Sequence, residues 1–176
     1  PVTNAEYLHF VEETGHPPPL HWQRGAIPSG KENHPVIFVN RHDVQAYLSW
    51  LNEMETRTYR LPTIYQYEYA ARGGEKAQTY PWGNRLQAGQ ANYDEYERRA
   101  FDSWEQYLKP ARWGAMNGYG LYGMAGNVWQ MTITNRQLSS IKWKYRIENP
   151  EVLENAVMGG SWARSEAYLQ CGFTAG

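Results

Sequence analysis

The chain has 176 residues, 17 Lys plus Arg against 18 Asp plus Glu, and a net charge of −1. That balance argues against general affinity for nucleic acid or anionic lipid. No apolar run approaches the roughly 20 residues of a bilayer span, and one cysteine, Cys171, permits neither an internal disulfide nor a cysteine zinc cluster. The length suits a single domain, 1–176. The 8 Trp and 14 Tyr against 4 Phe favour cores with embedded hydrogen bonds and aromatic binding faces. The chain opens at Pro1 rather than at a methionine, which leaves room for a removed leader and leaves the compartment open.

Thr3 and Glu6 form a capping box that opens a helix over about Asn4–Thr14, closed by Gly15 and by the prolines at 17, 18 and 19. His16–Asn33 reads as a polar loop, and Pro35–Val39, PVIFV, as a short buried strand. Asn40 caps the next helix with Asp43 at its third position. Val44, Tyr47, Leu48 and Leu51 give it the clearest apolar stripe in the chain. Leu61-Pro62-Thr63 begins a third helix, with Thr63 and Gln66 as its capping box and Gly73-Gly74 as its end.

Beyond Gly74 the texture changes to Gly, Trp, Tyr and Asn. Gln87–Lys109 is charged and loop-like, with a helical turn or two within Tyr96–Tyr107, and Val128–Thr134 and Asn155–Trp162 read as strands. Asn117–Met131, NGYGLYGMAGNVWQM, is too rich in glycine for a helix and too aromatic for a linker. It reads as a core loop whose turned backbone is buried by Tyr119, Leu121, Tyr122, Met124, Val128 and Trp129. Helices early and irregular strands late make the fold class α+β.

Seven segments in order, PVTNAEYLHFVEETG, HPVIFVNRHDVQAYLSWL, YRLPTIYQYEYAARGG, YPWGN, ANY, NGYGLYGMAGNVWQMT and MGGSW, resemble the formylglycine-generating-enzyme (sulfatase-modifying-factor) family over essentially the whole chain. The resemblance implies a C-type-lectin-like α+β fold with little regular secondary structure, and it points to an extracytoplasmic location. The family's namesake oxidises a sulfatase cysteine with copper held by two cysteines. Relatives include the catalytic domain of iron-dependent sulfoxide synthases, non-catalytic variable receptors and accessory subunits. Family members continue before the first of these segments and beyond the last. A fragment, or a sheet edge filled by a partner, is therefore expected.

In the oxidase the two copper cysteines lie two and seven residues after the aromatic that ends the GGSW motif. Here those positions hold Arg164 and Leu169, neither a thiolate donor. One family calcium site matches Gly123, Met124, Gly126, Val128 and Gln130. Gly123 has lost a side-chain ligand and Gln130 replaces an anionic Glu, so that site is degenerate. A second matches Asn92 and Tyr93, with Asp102 as partner. Calcium is thus an expected cofactor at most, and copper is not expected. The five histidines, all among the first 42 residues, show no helical ligand pair and read as surface or capping residues.

The favoured function is a non-catalytic protein-binding module or accessory subunit, a pseudoenzyme that docks through Trp104, Tyr107, Trp113, Trp143, Tyr145 and Trp162 onto a protein partner or larger assembly. The alternative is a divergent metal- and oxygen-dependent oxidase of formylglycine-generating or sulfoxide-synthase type, with Trp162, Arg164, Tyr168 and Cys171 lining its site. A variable receptor is disfavoured, because Ser161–Cys171 contains no Asn.

Overall fold

A computed structural model of the chain describes residues 1–74, 77–100, 102–133 and 155–175. The contacts divide it into two units, residues 1–60 with 104–113, and residues 61–103 with 114–176.

In the first unit, helix α1 (Asn4–Thr14) starts where the sequence places it. Thr3 Oγ1 accepts the Glu6 amide at 3.2 Å and the Glu6 carboxylate accepts the Thr3 amide at 2.7 Å. It stops at Gly15, whose φ of 70° turns the chain left-handed. Helix α2 (Arg41–Met54) has the same reciprocal cap between Asn40 and Asp43. The two helices enclose Tyr7, Phe10 and Trp22, with Tyr47 stacked on Tyr7 at a centroid separation of 5.5 Å. Asn4 is buried in this core, and its carboxamide oxygen accepts the Trp22 indole N–H at 3.0 Å. A single turn, α4 (Trp104–Tyr107), brings Trp104 edge-on to His21 at 5.2 Å.

PVIFV is not a strand. Pro35 makes one isolated bridge to Thr3, and Phe38 takes a φ of 56° and lies exposed. Val36 and Val39 still pack on the core, so the apolar run lines it as a loop. A short apolar run does not by itself distinguish the two arrangements.

In the second unit, helix α3 (Ile64–Ala71) is capped by Thr63 and Gln66. Three strands, β1 (Gln130–Ile133), β2 (Asn155–Met158) and β3 (Thr174–Ala175), form an antiparallel sheet in the order β1-β2-β3, with Gln130 opposite Met158 and Met158 opposite Thr174. β1 begins two residues later than the alternation suggests, because Asn127 takes a φ of 69° and the Val128 amide closes a turn onto the Gly126 carbonyl. Thr134 lies outside the described residues. β2 ends at Met158 rather than Trp162, because Gly159 and Gly160 have φ of 93° and 73°. β3 is too short to carry a pattern.

The glycine-rich segment is held by its own polar groups, as its composition suggests. Asn117 Nδ2 donates to the Ala70 and Ala71 carbonyls at the end of α3, while its Oδ1 accepts the amides of Tyr119 and Leu121. Gly118 passes so close that a Cβ there would lie 2.3 Å from the Gly73 carbonyl oxygen. Of the side chains expected to bury it, Val128 is buried and Met124 and Trp129 are half-buried, but Tyr119, Leu121 and Tyr122 are exposed, and Asn117, Ala125, Gly126 and Asn127 are buried beside Val128. Side-chain amides and close backbone packing do what the rings were expected to do.

Candidate functional site

The segment after β2 is bound to a loop running from Asn92 to Arg99. Glu97, at a φ of 51°, aims its carboxylate at Ser165. Oε1 accepts the Ser165 amide at 3.0 Å and hydroxyl at 2.8 Å, and Oε2 pairs with Arg164 at 3.4 Å. These donors hold the Glu97 carboxyl below its ordinary range. The Asp94 amide donates to the Arg164 carbonyl at 2.9 Å. Burial alone would raise the Asp94 carboxyl, but the amides of Arg99 and Tyr96 donate to it and the net direction is down. Arg99 completes the lacing: its Nη1 donates to Asn92 Oδ1 at 3.2 Å and to the Trp162 carbonyl at 3.0 Å.

Leu169, at the end of a 3-10 turn (Glu166–Leu169), is 0% exposed and packs with Ala91 and Ala125 beneath Tyr80, Trp82, Leu86 and Tyr93. Tyr168 lies against Phe173 at 4.8 Å, with the Arg164 guanidinium 5.6 Å from its ring. Cys171 belongs to a different cluster, with Tyr67, Ala71 and Met158. Burial pushes its thiol up to about 11, away from the thiolate that metal binding or nucleophilic attack requires.

Tyr67 of that cluster and Gln130 at the start of β1 close a small knot. Gln130 Nε2 donates to the Gly123 carbonyl at 2.6 Å and to the Tyr67 hydroxyl at 2.7 Å, and that hydroxyl donates to the Met124 carbonyl at 2.9 Å. The Gly126 carbonyl accepts the Val128 amide at 2.9 Å.

The sulfatase-modifying factor enzyme 1-like domain model matches residues 1–176. The chain belongs to that family. It is 36% identical over 124 residues to a Bos taurus protein named inactive C-alpha-formylglycine-generating enzyme 2, an alignment covering 66% of this chain and 39% of the bovine protein. It is 36% identical over 108 residues to the Mus musculus formylglycine-generating enzyme, covering 58% and 27%. The chain thus spans well under half the length of these relatives. Solved structures with the same fold include PvdO from Pseudomonas aeruginosa, with a TM-score of 0.67 at 18% identity over 99% of this chain and 70% of that one, and Treponema denticola variable protein 1, at 0.66, 18%, 99% and 75%. The fold is therefore the α+β formylglycine-generating-enzyme type, with few helices and one small sheet among the described residues.

Family copper chemistry needs two thiolates. The matching positions hold a guanidinium paired to Glu97 and a fully buried leucine side chain, so the donor set does not fit copper. Hard oxygen ligands for calcium do not fit either matching site. At Gly123, Met124 and Gly126 the protein's own N–H and O–H groups point at the carbonyls, and the Gln130 carboxamide is one of the donors. At Asn92 a guanidinium already faces the carboxamide oxygen. Val128 is buried, Tyr93 is half-buried against the Leu169 cluster, and Asp102 is exposed.

Among the docking aromatics expected from sequence, Trp104 and Trp162 are buried and so are not surface anchors. Each is packed by groups far away in the chain, which a composition argument does not see. Tyr107 is half-buried, Trp113 is exposed with the Lys109 ammonium 6.0 Å from its ring, and Trp143 and Tyr145 lie outside the described residues. Among the described residues no three His, Cys, Asp or Glu side chains converge as a metal would need, and no helix is long and apolar enough to cross a membrane. His16 faces Asp43 at 2.9 Å and His21 faces Asn4 at 3.2 Å. Sequence reading missed Tyr67, Asp94, Glu97, Arg99 and Asn127. Only Asn127 carried a signal, as an Asn following glycine where a left-handed residue is needed.

Proposed function

We propose that the chain is a non-catalytic formylglycine-generating-enzyme-like module that binds a protein partner as part of a larger assembly. The observation that carries this reading is the conversion of both sulfur positions to structural use: Arg164 clamps the Glu97 loop, and Leu169 fills a core. The name of the bovine relative, an inactive enzyme, supports it. The docking surface is aromatic. In the second unit, Tyr65 and Tyr69 on α3 and Tyr119, Leu121 and Tyr122 of the glycine-rich loop are all exposed, with the Tyr119 hydroxyl donating to that of Tyr69 at 3.0 Å. Exposed tyrosines offer large amphipathic contact area at low entropic cost. In the first unit, Trp113 is the corresponding anchor.

The test is affinity capture from the native host with the wild-type chain and with a Tyr65→Ser, Tyr69→Ser, Tyr119→Ser variant of unchanged melting temperature. One protein retained by the wild type and lost by the variant is the expected result. Equal capture by both, or oxidation of a cysteine peptide by the purified chain, contradicts the reading. The second outcome would favour the divergent oxidase.

A further inference from the structure

We infer that this chain carries its own donors where the family fold would take calcium, so that its stability is independent of that ion. Two separate places support the inference. In the first, Gln130 and Tyr67 form a relay ending on two consecutive carbonyls, Gly123 and Met124, and a third carbonyl, Gly126, takes the Val128 amide. Each of these oxygens has a hydrogen directed at it. A divalent cation approaching the same oxygens would meet the positive ends of those dipoles. Positions 123 and 130 also offer it no carboxylate, since the first has no side chain and the second is neutral.

In the second place the substitution is more literal. Arg99 puts a permanent positive charge on Asn92 Oδ1 and on the Trp162 carbonyl, 63 residues away in sequence. Its backbone amide is held by the Asp94 carboxylate at 2.6 Å. The guanidinium thereby ties the Asn92–Arg99 loop to the strand exit, which is the task a bridging cation performs. A guanidinium stays protonated at any working pH and cannot be chelated. A second cation beside it would be repelled within a few ångströms. Asn92 cannot turn away to serve another ligand, because its Nδ2 donates to Asn127 Oδ1 at 2.9 Å and its carbonyl accepts the Asn127 amide at 2.8 Å.

The experiment compares melting temperatures of the full chain in EDTA and in saturating calcium, with calcium binding followed by isothermal titration. Wild type is expected to melt at the same temperature in both and to give no saturable heat. An Arg99→Lys variant, which keeps the charge but loses the forked donors, is expected to melt lower in both buffers alike. A Gly123→Asn, Gln130→Glu variant restores a side-chain oxygen and an anion at the first place. Asn suits the left-handed φ of 66° at position 123. That variant is expected to gain about 5 °C or more in calcium over EDTA. Calcium-dependent melting or saturable binding by the wild type overturns the inference. A double variant that is indifferent to calcium overturns the role assigned to the Gln130 relay.

Discussion

Truncating Leu169 to alanine tests whether the second sulfur position has become core. The side chain is 0% exposed and touches Ala91 and Ala125, two residues too small to swing into a gap, while the Tyr80, Trp82, Leu86 and Tyr93 rings and chains are only partly buried above it. Removing Cγ and both Cδ carbons forfeits about 2.4 kcal/mol of burial at roughly 0.8 kcal/mol per carbon. A residual cavity brings the total to about 3–4 kcal/mol. For a chain of this length that corresponds to a fall in melting temperature of about 10 °C. Urea unfolding followed by tryptophan fluorescence reads it directly, as a shift in midpoint with the slope unchanged. A loss below about 1 kcal/mol would refute the reasoning, because a surface or loosely held position behaves that way.

Three other outcomes follow from the same structure. Tyr67→Phe removes the buried hydroxyl between Gln130 and Met124 and leaves a half-buried amide and carbonyl without that partner, so it should cost about 1–3 kcal/mol in urea unfolding despite the nearly identical shape. Ser161 is buried with a hydroxyl that finds no hydrogen-bond partner among the described residues, so Ser161→Ala should leave the midpoint unchanged or raise it. A fall would mean that the hydroxyl is satisfied. His21 is depressed by burial from 6.5 to about 4, so the unfolded chain binds the extra proton first. The stability this contributes is complete above pH 6.5 and is lost as pH falls towards 4, by at most about 3 kcal/mol. Melting temperatures across that window should fall less steeply for His21→Gln than for wild type, and equal slopes would count against it.

The three capping boxes and the left-handed stop at Gly15 were legible because each is settled by residues a few positions apart. The glycine-rich loop was legible as a self-bonded segment for the same reason, since Asn117 Oδ1 takes the amides two and four residues on, whereas its Nδ2 contact with the end of α3, 46 and 47 residues away, had no local signal. What composition could not supply was direction. Tyr119 and Tyr122 lie in a run that looks buried, yet both are exposed, Tyr119 lying against Tyr69. PVIFV failed as a strand because one left-handed residue, Phe38, breaks an otherwise extended pattern.

The candidate site was legible by alignment with the family and not by physics. Arg164 and Leu169 could be named as the sulfur positions. Their new employment depends on Glu97 and Ala91, more than sixty residues away, and no local spacing announces such pairs. The same holds for Arg99, whose neighbours in sequence give no hint that its guanidinium ends on the Trp162 carbonyl.

The most direct measurement is a Cu(I) titration of the purified chain, with oxygen uptake recorded on a cysteine-containing peptide. The structure predicts no retained copper and no oxygen uptake above the metal-only control, because Cys171 is a single buried thiol held at about 11 and the chain has no second cysteine to complete a thiolate pair. One tightly held copper per chain, lost in Cys171→Ser together with oxygen uptake, would contradict the account.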